Sequence, residues 1–254
     1  MAETLDAGFV PQHRHGASIG QPLTRRDGLL KVTGKARYAA DNHPPGMLHA
    51  VLAVSSIARG RVTFLDVPAA MGHPGVVEVM TPANRPPLAP DPDAKLDPFM
   101  FRLDLLQNDT VRYAGQPVVV VIAETLEAAT EGAVLLAPRY ETEPPRIGLD
   151  GNDSFIPPAI GPGFPTELRH GDVEAGLAAA EYRIDAIYET PAQYHNAMEP
   201  HAIVADWDGD RLSVDTPSQG LAWAQARIAG LFGIPPSNIL IRSPFLGGGF
   251  GSKA

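Results

Sequence analysis

Apolar positions along this chain gather into short segments divided by proline- and glycine-rich breaks, and their period changes from one segment to the next. Residues 1–24 are polar without a sustained period and predict an extended arm. Between Leu29 and Ser56 the pattern predicts short strands, with turns at Gly34 and at Asp41–Gly46 and a buried strand from Met47 to Val54. A short helix is expected over Asp66–Met71, and the β-branched run Gly75–Met80 predicts a strand. Residues 81–98 are rich in proline, which has no N–H to give to a ladder or a helix interior, so they predict a loop.

The most continuous apolar run, Pro117–Ala123, follows a turn at Val111–Gln116 and predicts a strand buried on both faces. Thr125 is placed to cap a helix with Leu126, Ala129, Ala133, Val134 and Ala137 on one face, and Pro138 stops it before Tyr140-Glu141. Residues 142–170 are turn-rich, so a domain boundary is expected within them. Beyond it Asp172 predicts the start of a helix over Val173–Ala180, and Tyr182, Ile184, Ala186 and Tyr188 alternate with charged residues as in a half-buried strand. Strands over Ala202–Trp207 and Leu212–Asp215 flank a turn at Asp208-Gly209-Asp210. Ser218 is expected to cap a helix with Leu221, Ala224, Ile228 and Leu231 on one face and Gly233 at its end. A strand over Ile239–Arg242 leads into a glycine loop, Gly247–Gly251. The expected class is α+β, divided into an arm (1–24), a first module (25–143), a linker (144–170) and a second module (171–254).

Composition narrows the function classes. The 254 residues carry a formal net charge of -9, which argues against a surface that tracks phosphates. No apolar run is long enough to cross a bilayer, and residues 1–20 contain no apolar core of a signal peptide, so no membrane span and no export signal of its own are expected. Cysteine is absent, so any iron-sulfur relay has to come from another chain.

Three features carry candidate chemistry. Four of the five positions from Gly247 to Gly251 are glycine, which leaves backbone N–H groups uncovered and permits close approach of an anionic or oxo-bearing cofactor. The segment matches neither the phosphate-loop pattern nor the dinucleotide fingerprint, and a plain glycine-rich turn is the competing reading. His195, Glu199 and His201 share one face if the segment is a strand; a hydrogen-bonded structural cluster competes with zinc ligation, since the spacing is not that of a zinc helix. Gln219 stands at a strand-to-helix junction, where a side chain can point into a cleft or merely cap the helix.

These pieces in order resemble a known family. Val111–Val118, the following helix and Tyr140-Glu141 are similar to the a/b hammerhead domain of the xanthine dehydrogenase and aldehyde oxidase family. Gly171-Asp172-Val173, Tyr188–Pro191, His195–His201, Pro217–Gly220 and Gly247–Gly251 resemble the first part of its molybdenum-cofactor-binding domain, as found in bacterial aldehyde oxidoreductase molybdenum-binding subunits. The resemblance implies a molybdenum–molybdopterin cofactor, the cytosine dinucleotide form included, held only together with further polypeptide. It implies iron-sulfur and FAD partner subunits and a small aldehyde or N-heterocycle as substrate. Gln219 corresponds to a glutamine whose amide faces an oxo ligand of molybdenum; Gly248, Gly249, Phe250 and Gly251 to the loop beside the metal and pterin; His195 and Glu199 to pocket walls. The family's base glutamate lies in a later segment and is expected outside this chain. In the purine-oxidising branch a glutamate follows the loop lysine, whereas Ala254 stands here, which favours an aldehyde. A cytoplasmic location is implied, or a periplasmic one by export with a partner. A catalytically silent fragment acting as a binding or assembly module is the alternative.

Overall fold

The computed structural model describes residues 20–89, 106–145, 147–148, 155–160, 164–168 and 170–253. Most of the predicted arm, and part of the proline-rich stretch, lie outside the described residues. The first half runs α1 (Gly28–Val32), β1 (His49–Val54), β2 (Gly60–Phe64), α2 (Val67–Met71), β3 (Val76–Met80), β4 (Thr110–Val111), β5 (Pro117–Ala123), α3 (Leu126–Leu135) and β6 (Arg139–Thr142). Strand β5 lies in the centre of one antiparallel sheet, between β1 and β3. Its Val119, Val121 and Ala123 are fully buried, as the unbroken apolar run requires. A second sheet pairs β2 with β4 and β6. The two sheets share a core of Val79, Val111, Val119, Val121 and Leu136.

Several expectations need correction here. Leu29–Val32 belongs to helix α1 rather than a strand. Strand β1 is an edge strand and alternates half-buried and exposed positions instead of being buried throughout. Thr125 does cap α3, accepting the Ala128 N–H at 3.1 Å. The buried face of α3, however, is Ala128, Ala129 and Gly132, while Leu126 and Val134 are exposed. The cause is close packing: a Cβ on Gly132 would lie 2.9 Å from Val76 Cγ2 and 3.1 Å from Val121 Cγ1, so the helix approaches the sheet through its smallest residues.

The second half runs β7 (Ala159–Ile160), β8 (Phe164–Pro165), α4 (Val173–Ala179), β9 (Val204–Asp208), β10 (Arg211–Asp215), α5 (Leu221–Phe232) and β11 (Ile239–Arg242). Strands β9 and β10 form the expected hairpin, turning at Gly209 with φ 61°. Strand β11 lies parallel to β10 and is reached through α5, so β10-α5-β11 is a β-α-β crossover. Leu212, Val214, Ala229 and Ile239 form its small core, with Ile228 packed alongside. The buried line of α5 is thus Ile228 and Ala229, and Leu221 stays exposed. Helix α5 ends at Gly233, whose φ of 66° is the left-handed cap that glycine adopts without strain. Its N-cap is Gly220 rather than Ser218; the Ser218 hydroxyl instead accepts the Gly220 N–H at 3.0 Å.

The alternating segment Tyr182–Tyr188 forms no ladder and is exposed throughout, contrary to the half-buried strand expected of it. Alternation fixes which side chains share a face, but a strand also needs a neighbour for its backbone, and none of the described residues supplies one.

The halves touch at the carboxyl ends of β10 and β11 and at helix α5. Asn42 Nδ2 donates to Asp215 Oδ2 at 2.6 Å, the Tyr38 and Phe245 rings lie 5.8 Å apart, and the Ala89 N–H donates to Leu231 O at 2.8 Å.

Candidate functional site

Strands β10 and β11 are parallel, so the segments that leave their carboxyl ends, 216–220 and 243–253, emerge side by side. This is where crevices form in sheets of this kind. Backbone and hydroxyl contacts join the two segments: the Thr216 N–H donates to Arg242 O at 3.0 Å and the Ser218 N–H to Ser243 Oγ at 3.2 Å. Arg242 donates to both carboxylate oxygens of Asp215, at 2.7 and 2.6 Å. These bonds, with that from Asn42, hold the Asp215 carboxyl below its ordinary pKa.

Gln219 faces the glycine loop. Its backbone N–H donates to Lys253 O at 2.6 Å, and its side-chain Oε1 accepts the Gly251 N–H at 2.9 Å. Because a backbone N–H can only donate, the amide oxygen is the atom that must face it, and the amide nitrogen is left directed away as a donor. Nε2 has no partner among the described residues.

The glycines of the loop answer two different requirements. Gly248 and Gly251 have φ of 98° and 97°, conformations that side chains other than glycine adopt with strain. Gly247 and Gly249 are glycine for space: a Cβ on Gly249 would lie 2.3 Å from Gln219 Oε1, and one on Gly247 2.4 Å from Glu199 Cβ. Phe250 has φ of 55° and projects an exposed ring. The N–H groups of Gly248, Gly249 and Phe250 have no acceptor among the described residues, while Ser252 N–H and Oγ close the turn on Gly249 O at 2.9 and 2.8 Å. Three successive N–H groups without acceptors among the described residues, beside a free amide donor, suit a negatively charged partner.

His195, Glu199 and His201 do not share a strand face. Residues 195–201 form no strand, and Asn196 has φ of 44°, which breaks the alternation. His195 is exposed beside the loop, with its Nε2 3.5 Å from where a Gly251 Cβ would stand. Glu199 turns inward, its Oε2 accepting the Gly247 N–H at 2.7 Å and the Lys253 ammonium at 3.1 Å. His201 points to solvent. Among the described residues no group of three or more His, Asp or Glu side chains is placed to hold a metal ion. The structure thus brings Gln219, the glycine loop, His195 and Glu199 together and leaves His201 outside. Lys253 is not among the residues that the sequence singles out, because the burial of a lysine at the end of a glycine run has no local signature.

Residues 33–144 match the family model "Aldehyde oxidase and xanthine dehydrogenase, a/b hammerhead domain" and residues 159–254 the "Molybdopterin cofactor-binding domain". The aldehyde oxidoreductase molybdenum-binding subunit PaoC of Escherichia coli K12 is 37% identical over 92% of this chain and 31% of its own length. The nicotine 6-hydroxylase large subunit of Paenarthrobacter nicotinovorans is 31% identical over 93% of this chain and 30% of its own. The crystal structure of quinoline 2-oxidoreductase from Pseudomonas putida 86 superposes with a TM-score of 0.73 at 24% identity, covering 92% of this chain and 31% of that one. The chain therefore spans about a third of the length of the curated relatives it matches. No helix among the described residues is long and apolar enough to cross a membrane. The chain is a member of the aldehyde oxidase and xanthine dehydrogenase family, joining an a/b hammerhead domain to a molybdopterin cofactor-binding domain.

Proposed function

We propose that this chain supplies the glycine-loop side of a molybdenum–molybdopterin site in an enzyme that oxidises aldehydes or N-heterocycles with oxygen from water. The observation that carries the reading is the run of unpartnered N–H groups at Gly248, Gly249 and Phe250, beside the free amide donor of Gln219. These donors need an electronegative partner, while the missing Cβ atoms at Gly247 and Gly249 let Glu199 and Gln219 close against the loop from behind. When bound, the cofactor supplies the two-electron oxidation. The chain's own residues orient it and place fixed dipoles where negative charge gathers.

In this reading Gln219 donates through Nε2, and the backbone of Gly248, Gly249, Phe250 and Gly251 lines the cofactor. His195 borders the same pocket. Glu199 is a wall rather than a base, because the oxygen nearest the loop is already held by Gly247 and Lys253. The base comes from polypeptide outside this sequence. The finer assignments follow from family resemblance: the cytosine dinucleotide form of the cofactor, iron-sulfur and FAD partner subunits, a small aldehyde as substrate, and a cytoplasmic setting or a periplasmic one by export with a partner. We place the boundary between the two modules within residues 144–170.

The test is elemental analysis. Expressed alone in a host that makes the cofactor, the chain is expected to hold little molybdenum; expressed with the rest of a molybdenum-binding subunit, it is expected to hold about one per complex. Absence of molybdenum from the assembled complex would overturn the reading.

A further inference from the structure

The loop after β11 is fastened by a buried charge pair that its glycines do not explain. The Lys253 side chain has no solvent exposure and that of Glu199 only 7%. The Lys253 ammonium donates to Glu199 O at 2.8 Å and to Oε2 at 3.1 Å. The same Oε2 accepts the Gly247 N–H at 2.7 Å, and the Glu199 N–H donates to Gly247 O at 3.1 Å. One residue thus grips the loop at both ends. From the other side Gln219 grips the closing end, through Lys253 O and the Gly251 N–H.

Stability alone does not account for such a pair. Removing two charges from water costs about as much as their attraction returns, so two apolar side chains of the same volume would serve the core at least as well. Glu199 Oε1 is moreover buried without a partner, an expense a purely stabilising carboxylate would avoid. An apolar pair cannot, however, accept an N–H at the start of the loop while donating to a carbonyl from its end. We propose that Glu199 and Lys253 are positioning residues: their buried pair sets the free N–H row of the loop, and through Lys253 O the Gln219 amide, in a ligand-ready arrangement before any cofactor arrives. The inference rests on the reading that this loop serves the cofactor, but its geometry can be tested without cofactor.

Amide hydrogen exchange on the cofactor-free chain reads it directly. Lys253→Met, close to lysine in shape, is expected to speed exchange at Gln219, Gly247 and Gly251 by about 10-fold or more, the loss that accompanies a hydrogen bond to a charged group. The amides of β5 and β10 should keep their rates. Glu199→Gln retains an acceptor for Gly247 but not the charge, so it should loosen Gln219 and Gly251 more than Gly247. The double swap Glu199→Lys with Lys253→Glu restores opposite charges but removes the acceptor for Gly247, and should not rescue protection. Unchanged loop exchange in Lys253→Met, or protection restored by the swap, would overturn the proposal. Should Lys253→Met also unprotect β10, the Glu199→Gln pattern decides, with uniform or absent loosening counting against it. In the assembled complex, faster loop exchange with undiminished molybdenum content would leave the latch standing and overturn the cofactor reading instead.

Discussion

Gly249 is the residue at which the site is most sharply constrained. Its missing side chain is occupied by the Gln219 amide, so Gly249→Ala forces a Cβ to within 2.3 Å of Oε1 and 2.6 Å of Cδ unless Gln219 leaves Gly251. We expect a loss of about 1–3 kcal/mol in denaturant unfolding, the usual range for overpacking. Gly230, inside α5 with nothing within 4 Å of its would-be Cβ, is the control: Gly230→Ala should stabilise by about 1 kcal/mol through helix propensity. Equal effects at the two positions would show that Gly249 is not crowded by Gln219. The glycine run and Gln219 were legible in the sequence because unusual residues at a strand-to-loop junction stand out. What was not legible is which glycines answer to φ and which to crowding, or that Glu199 and Lys253 meet, since those contacts join residues 54 apart through folding alone.

At the scale of elements, the strand–helix unit β5-α3, the hairpin β9-β10 and the segments of α5 and β11 followed from local pattern, whereas the parallel pairing of β11 with β10 has no local signal. Strand β2, Gly60–Phe64, did not follow either: it is short and largely exposed, and Gly60 is fixed by a distant neighbour, its would-be Cβ falling 2.0 Å from Glu141 O. Thr125→Ala is expected to cost about 1 kcal/mol by leaving the Ala128 N–H without its cap, measured by denaturant unfolding. The Asp215–Arg242 pair, which braces the carboxyl ends of β10 and β11, gives a pH signature. Folding lowers the Asp215 pKa from 3.8, so its contribution is complete above that value and disappears as the pH falls through the lower folded value. The stability lost in Asp215→Asn, about 1 kcal/mol for a partly exposed pair, should therefore be constant near neutrality and shrink in acid. A difference that grows in acid would contradict the pairing.

For the whole molecule, the contrast lies between the three-stranded sheets with their packed helices and the stretch from 180 to 203. Tyr182, Ile184, Ile187, Tyr188, Tyr194 and Met198 are each 83–95% exposed, and α4 buries none of its residues. Apolar surface on this scale marks an interaction face. The chain on its own is expected to bind a hydrophobic dye or self-associate, and to lose that behaviour when assembled with further polypeptide of a molybdenum-binding subunit. A dye-silent monomer would contradict this. The alternation at Tyr182–Tyr188 lies on this open face, where no side is buried and no strand forms.

The central claim, that the glycine loop and Gln219 face the cofactor, is tested most directly by turnover per bound molybdenum in the assembled complex, with aldehyde saturating, for the unaltered protein and Gln219→Ala. Loss of one preorganised donor should lower turnover roughly 10- to 1000-fold at equal metal loading, with little effect on folding. Unchanged turnover at equal loading would take Gln219 out of the site and contradict the account.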